Sequence, residues 1–284
     1  PSFEQAEGSY PRRARLAHGN NTAFLSIGEL LRKCGLSAPT VLAAEPQAGF
    51  ILLEDLGDAK IAENGVAIAE RYLLAADVLA AFHEQALPPD LPLGYRPPRF
   101  DATLGVFEVG LYPQWVLGQP TAETYRVLWR EVLEGLWRGD DHVALRDFHS
   151  PNCLWLPARE GIAKIGVIDY QDAMIAPTAF DVVSLAQDAR VPVPDGLAEE
   201  IVVRYLAGRS ALDEVRWREA YAIIGAQRAV RIAGVFRRLN DRDGKPQYLE
   251  HLPHVTRALA KNLAATPALG KLRAWFAEHA GVAA

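Results

Sequence analysis

The chain has 284 residues, 50% of them hydrophobic and 23% charged, with a formal net charge of −5. This length supports a sizeable core, in one large domain or two lobes. The acidic balance, without a basic stripe, excludes a nucleic-acid-binding surface, and no apolar run is long enough to span a membrane.

The chain has two cysteines, Cys34 and Cys153, far apart and without metal-ligand spacing. They imply a reducing compartment and no disulfide framework. The first residues, PSFEQAEGSYPRR, contain no apolar signal region, so a cytoplasmic protein is expected, as a monomer or weak dimer. Gly8-Ser9 precede an Arg-rich alternating segment with Arg12 and Arg13. This reads as a phosphate-covering turn entering a strand, or as an exposed turn. Thr22–Cys34 reads as a helix with Phe24, Ile27, Leu30 and Leu31 on one face and Gly35 as its stop; Lys33 faces solvent. Val41–Ala44 and Phe50–Leu53 are apolar runs around the turn EPQAG. The second run ends in Glu54-Asp55-Leu56-Gly57, a strand-to-helix turn with Asp55 as cap.

Val66–Gln85 has helical periodicity through Tyr72, Leu73, Ala76, Leu79, Ala80 and His83, and prolines break the chain over 88–98. His83 reads as a helix-face residue rather than a ligand. Asp101–Leu117 and Thr121–Trp137 form a helix pair separated by Gly118-Gln119-Pro120. The first carries Glu108, Tyr112 and Trp115. Aromatic faces with a few polar groups suit sugar rings, although Trp115 and Trp129 read equally as core.

Residues 145–172 concentrate the chemistry. Two apolar runs, Cys153–Leu156 and Ile162–Ile168, flank the polar loop Pro157–Gly161, a hairpin pattern. Pairing brings Asn152, which opens the first run, close to Asp169, which ends the second. Asp147 sits on the adjoining loop. Three oxygen-bearing side chains thus converge, and hard oxygen ligands suit Mg²⁺ held together with substrate phosphates. Beyond them, Ala176–Asp181 leads into a helix over Val182–Ala189, with Asp188 and Arg190 close behind. Gln171 and Asp172 flank Asp169. The remainder is helical over Glu199–Leu206, Glu214–Leu239 and Leu252–Ala264, with NDRDGK (240–245) as a polar break.

The spacing D-x4-N, followed by an Asp closing the next strand, matches the catalytic and metal loops of kinase-like phosphotransferases. D-x-H-x-x-N at Asp147–Asn152 and I-D-x-x-D-A at Ile168–Ala173 resemble the aminoglycoside phosphotransferase family. The resemblance implies an α+β, two-lobed protein-kinase-like fold. A small β-rich N-lobe would span 1–56, and a larger helical C-lobe with the catalytic loop, metal loop and acceptor site would span 57–284. It implies ATP as phosphoryl donor and a small-molecule acceptor. Asp147 would take the acceptor hydroxyl proton, and Asn152 and Asp169 would hold Mg²⁺. Ser9 and Arg13 would lie near the nucleotide phosphates. Leu53, Glu54 and Leu56 would contact the nucleotide, chiefly through backbone groups. Asp181 would brace the catalytic loop, with His149 and Asp172 as further support. Glu108, Trp115 and Arg146 are the candidate acceptor contacts, although Arg146 would equally brace a phosphate or a backbone carbonyl.

Two features depart from the family pattern. Only AHGNN separates Leu16 from Thr22, and no V-A-x-K strand supplies a phosphate lysine. Either the N-lobe is pared down or a segment is absent from the sequence as given, so Glu29 has no lysine to brace. The usual H-G-D is replaced by Leu145-Arg146-Asp147. The R-D-F-H-x-x-N form and the S-L-x-Q-D-A-R run (184–190) resemble the branch of anomeric N-acetylmuramate/N-acetylglucosamine kinases of cell-wall recycling. An arginine beside the catalytic Asp, with Arg190 nearby, disfavours a polycationic acceptor and suits an anionic lactyl carboxylate. The alternatives are an aminoglycoside or other small-alcohol kinase of choline, homoserine or fructosamine type, and a catalytically inactive nucleotide-binding relative.

Overall fold

The structure, a computed structural model, describes residues 21–45 and 48–282. In chain order these form α1 (Asn21–Lys33), β1 (Val41–Glu45), β2 (Phe50–Leu53), β3 (Ala62–Glu63), β4 (Val66–Ala67) and α2 (Ala69–Glu84). Next come α3 (Ala102–Val109), α4 (Leu111–Trp115), α5 (Glu123–Glu134), β5 (Asp141–Ala144), β6 (Cys153–Trp155), β7 (Ile165–Val167) and β8 (Met174–Pro177). Helices α6 (Ala179–Ala186), α7 (Asp195–Ala207), α8 (Glu214–Asp243), α9 (Leu252–Ala265) and α10 (Gly270–Ala280) complete the chain.

The chain divides into two compact units. One contains the chain up to Arg99 together with Asp141–Ala211; the other contains Phe100–Asp140 and the chain from Leu212 onwards. The lobe boundary expected at residue 56 falls inside the first unit.

In the first unit, α1 buries Ile27, Leu30 and Leu31. It stops at Gly35, whose φ is +80°, while Leu36 N–H reaches back to Leu31 O at 3.0 Å. The left-handed glycine and this long-range bond consume the last free carbonyls of the helix. β6 and β7 pair antiparallel, with Cys153 opposite Val167 and Trp155 opposite Ile165. Both edges of this hairpin are covered. Val167 N–H donates to Ser37 O at 2.9 Å, and Trp155 N–H donates to Ala59 O at 2.8 Å. β1 and β2 form a separate antiparallel pair that leaves Leu42, Phe50 and Leu52 exposed. Helices α2, α6 and α7 pack together and supply the apolar floor under the strands.

The helix expected from Val66 begins three residues later. Asn64 and Gly65 both have positive φ (51° and 76°), and this two-residue turn pairs Glu63 with Val66 as a tight hairpin. Helix α2 therefore starts only at Ala69.

In the second unit, α8 packs against α4 and α9, and α3 against α5. The single helix expected over Asp101–Leu117 is split. Pro113 has no N–H to offer Val109 O, which instead accepts the Tyr125 hydroxyl at 3.1 Å. The 240–245 break is also displaced. Asn240–Asp243 continue α8 with Arg237 bonded to Asp241 at 2.9 Å, and Gly244 ends the helix at φ +65°. Polar residues alone do not stop an exposed helix when i,i+4 partners are present. No helix among the described residues is long and apolar enough to cross a membrane.

Candidate active site

The site grows from two short strand pairs. β5 pairs with β8, and β6 pairs with β7. The loop 145–152 runs from the first pair to the second, and the loop 168–173 runs back. Each loop is thus pinned at both ends by a hydrogen-bonded ladder. Ile168 N–H donates to Asn152 O at 3.1 Å, which extends the β6–β7 ladder by one step and sets Asn152 beside Asp169. Asn152 Nδ2 donates to Asp147 O at 3.0 Å and to Asp169 Oδ2 at 3.3 Å. Gln171 Nε2 donates to Asp169 Oδ1 at 2.7 Å. Asp147, Asn152 and Asp169 therefore come together, with Asn152 as the link.

The loops are held in a strained backbone. Arg146 has φ +70° and Asp169 φ +59°, a left-handed conformation that costs a non-glycine residue ~1–3 kcal/mol. The opposing force comes from below. Asp181, fully buried on α6, accepts the N–H groups of Leu145 (2.7 Å) and Arg146 (2.9 Å). Ser184 Oγ donates to Arg146 O at 2.8 Å. Asp188, just past α6, accepts Ser150 N–H at 2.9 Å. Arg146 is itself buried, with Nη1 3.9 Å from Asp172 Oδ2, so it joins the two loops internally. Above Asp169, Tyr170 stacks on Phe24 of α1 with centroids 4.9 Å apart. The Tyr170 ring also lies where a side chain on Gly28 would be.

Under Asp181 lies a buried histidine pair. His83 Nδ1 is 3.0 Å from Tyr205 Oη and its Nε2 is 3.5 Å from Asp181 Oδ2. His142 is 5.2 Å from His83, ring to ring, and bonds Gln85 O through Nε2 at 3.0 Å. Burial, then the Arg209 charge, lowers the His83 pKa to about 3. Burial and then His83 lower that of His142 to about 4, against the pull of the Gln85 and Val143 carbonyls. Both rings are neutral in the fold but take up a proton near pH 6.5 when unfolded. The unfolded chain therefore binds more protons between these values, and stability falls as pH drops below about 6.5. Each ring costs about 1.4 kcal/mol per pH unit once it titrates only in the unfolded state. Carboxylates with lowered values, Glu54 among them, act at lower pH. Melting temperature should be flat above pH 7.5 and should fall steeply between 6 and 5. A flat profile down to pH 5 would mean that the pair does not set acid stability.

The other expected site residues are distributed as follows. Ser9 and Arg13 lie outside the described residues. Leu53 and Leu56 are half-buried, and Leu56 approaches Gly166 of β7. The Glu54 side chain is committed internally, to Thr40 N and Oγ1 and, at 2.6 Å, to Arg159 Nη2. That leaves backbone groups for any nucleotide contact there. Glu29 pairs with Lys33 on its own helix at 2.7 Å, so it braces nothing else through that bond. Glu108, an expected acceptor contact, is committed internally. It is buried within the second unit, bonded to Gln227 Nε2 at 2.9 Å and 3.3 Å from Arg231 Nε, so its carboxylate is used in packing. Arg146 is buried as well. Trp115 is half-buried in the second unit.

A model of the phosphotransferase enzyme family matches residues 10–217. An N-acetylmuramate/N-acetylglucosamine kinase from Caulobacter vibrioides is 36% identical over 98% of this chain and 80% of its own length. The chain belongs to the phosphotransferase enzyme family. A second kinase of the same name, from Pseudomonas putida, is 29% identical over 91% of this chain and 78% of its own. Among solved structures, a choline/ethanolamine kinase family protein from Mesorhizobium loti superposes with a TM-score of 0.56 at 16% identity, covering 92% of this chain and 82% of that one. The fold of this phosphotransferase is therefore the protein-kinase-like α+β fold.

Sequence spacing missed the His83–His142–Tyr205 cluster and the Asp188 cap. Periodicity did place His83 on the same helix face as Ala76, Leu79 and Ala80, all buried. A histidine on an apolar stripe needs a polar partner, but the partner is 122 residues away in sequence.

Proposed function

We propose that this phosphotransferase is an amino-sugar kinase. It transfers the γ-phosphoryl group of ATP to the anomeric hydroxyl of N-acetylmuramate or N-acetylglucosamine, in the cytoplasm. The observation that carries this reading is identity over nearly the whole chain with the Caulobacter vibrioides kinase of that name. The site supports it. Asp147, half-buried on the 145–152 loop, orients the acceptor hydroxyl and takes its proton. The acceptor oxygen forms the new O–P bond as the bond from the γ-phosphorus to the bridging oxygen breaks, and ADP leaves with that electron pair. The gain is positional and electrostatic.

The donor set at the loop junction suits Mg²⁺. The Asp169 carboxylate and Asn152 Oδ1 are hard oxygens, and Oδ1 accepts no hydrogen bond among the described residues. A magnesium ion held there would neutralise phosphate charge. Cys34 and Cys153 are free thiols, in keeping with a reducing compartment.

The test is ADP release with Mg-ATP against N-acetylmuramate, N-acetylglucosamine and kanamycin in parallel. Turnover on the amino sugars with an acid-labile product is expected. Turnover on kanamycin alone would make this an aminoglycoside kinase. Mg-dependent stabilisation by ATP without acceptor-dependent ADP release would indicate an inactive relative.

A further inference from the structure

The turn after α6 is clipped to the catalytic loop at two successive residues. Asp188, buried, accepts N–H bonds from Ser150 at 2.9 Å and from Arg190 at 2.8 Å. Arg190 Nη1 lies 3.1 Å from His149 Nε2. For Arg190 to donate, His149 Nε2 must carry no proton, so the contact fixes one neutral tautomer of His149. The Arg190 residue is exposed, and among the described residues no carboxylate pairs with its guanidinium. Arg71, Arg159 and Arg204 differ in this respect: they meet Glu63, Glu54 and Asp77 within 2.7 Å. A guanidinium has five N–H donors in a planar fork that matches a carboxylate, and here a single internal bond is made. His149 is two residues from Asp147, a span of at most ~7 Å of chain. A cation with donors to spare thus sits against the catalytic loop, bonded to a residue two positions along the chain from the one that faces the acceptor hydroxyl.

We propose that Arg190 is a specificity-determining residue that binds the carboxylate of an acidic acceptor, the lactyl group of N-acetylmuramate. This rests on the amino-sugar reading above. The same guanidinium chemistry would also fit a nucleotide phosphate, so the test must separate the two sources.

KM is measured for N-acetylmuramate, its methyl ester, N-acetylglucosamine and ATP in the wild type, Arg190→Gln and Arg190→Lys. In Arg190→Gln the ratio of KM for N-acetylmuramate to that for N-acetylglucosamine should rise about 10- to 100-fold, the range for a hydrogen bond to a charged group. Arg190→Lys should fall between, since it keeps the charge but loses the fork. In the wild type, esterification should raise KM by a similar factor; in Arg190→Gln it should add nothing. An equal rise for both sugars overturns the proposal. If ATP KM rises with them, Arg190 contacts phosphate; if not, it acts only by positioning His149. A wild type silent on both sugars removes the amino-sugar reading and this one with it, whereas the equal-rise outcomes leave that reading standing.

Discussion

Asp147→Asn is expected to lower kcat by about 10²- to 10⁴-fold, the range associated with losing a general base. Nucleotide affinity and melting temperature should barely change. The reason lies in how the loop is held. Asn152 bonds the backbone oxygen of Asp147, not its side chain. The neighbouring N–H groups of Leu145 and Arg146 are held by Asp181. Asn is nearly isosteric with Asp, so this bonding survives the substitution. On the proposed mechanism, what is lost is the charge that would orient the acceptor hydroxyl and accept its proton. ADP release measured beside calorimetric titration with a non-hydrolysable ATP analogue separates the two effects. A kcat within tenfold of wild type would remove Asp147 as the base. A large loss of nucleotide affinity would mean instead that it helps to hold the metal-nucleotide complex.

The chemistry of the site was more legible in the sequence than its supports. The hairpin was readable because β6 and β7 are short apolar runs around a polar loop, and its register carries Asn152 to Asp169. β8 was not read as a strand. Met-Ile-Ala-Pro is too short and ends in proline, and it is ordered by pairing with β5, more than thirty residues earlier. The internal ties of Glu108 and Arg146 were not legible either. Both are charged residues in or beside apolar segments, a pattern shared by ligand contacts and buried ion pairs. Only their partners distinguish the cases: Gln227 and Arg231 for Glu108, and Asp172 for Arg146. The Asn64-Gly65 turn was a local signal that helical periodicity downstream obscured.

Asp181→Ala is expected to reduce both stability and turnover. The carboxylate is fully buried and makes two backbone hydrogen bonds, with His83 Nε2 at 3.5 Å. Removing it leaves the Leu145 and Arg146 N–H groups buried without their acceptor, at about 1–3 kcal/mol each. It also releases the left-handed backbone of Arg146, whose carbonyl still accepts the Ser184 hydroxyl. The expected loss is about 3–5 kcal/mol, in the range for breaking a buried polar network. If the Ala variant fails to fold, Asp181→Asn supplies the folded comparison. Its amide keeps one acceptor oxygen but turns an N–H₂ toward one of the two donors, so one bond survives and the other becomes a repulsion. Its melting temperature should fall between those of wild type and Asp181→Ala. Its kcat should fall by about tenfold or more while nucleotide KM changes little, because the strain relaxes next to Asp147 and not at Asn152, whose ladder bond to Ile168 is independent. An Asn variant with wild-type melting and wild-type kcat would shift the bracing role to Ser184 and Asp188, two further side chains that bond the loop.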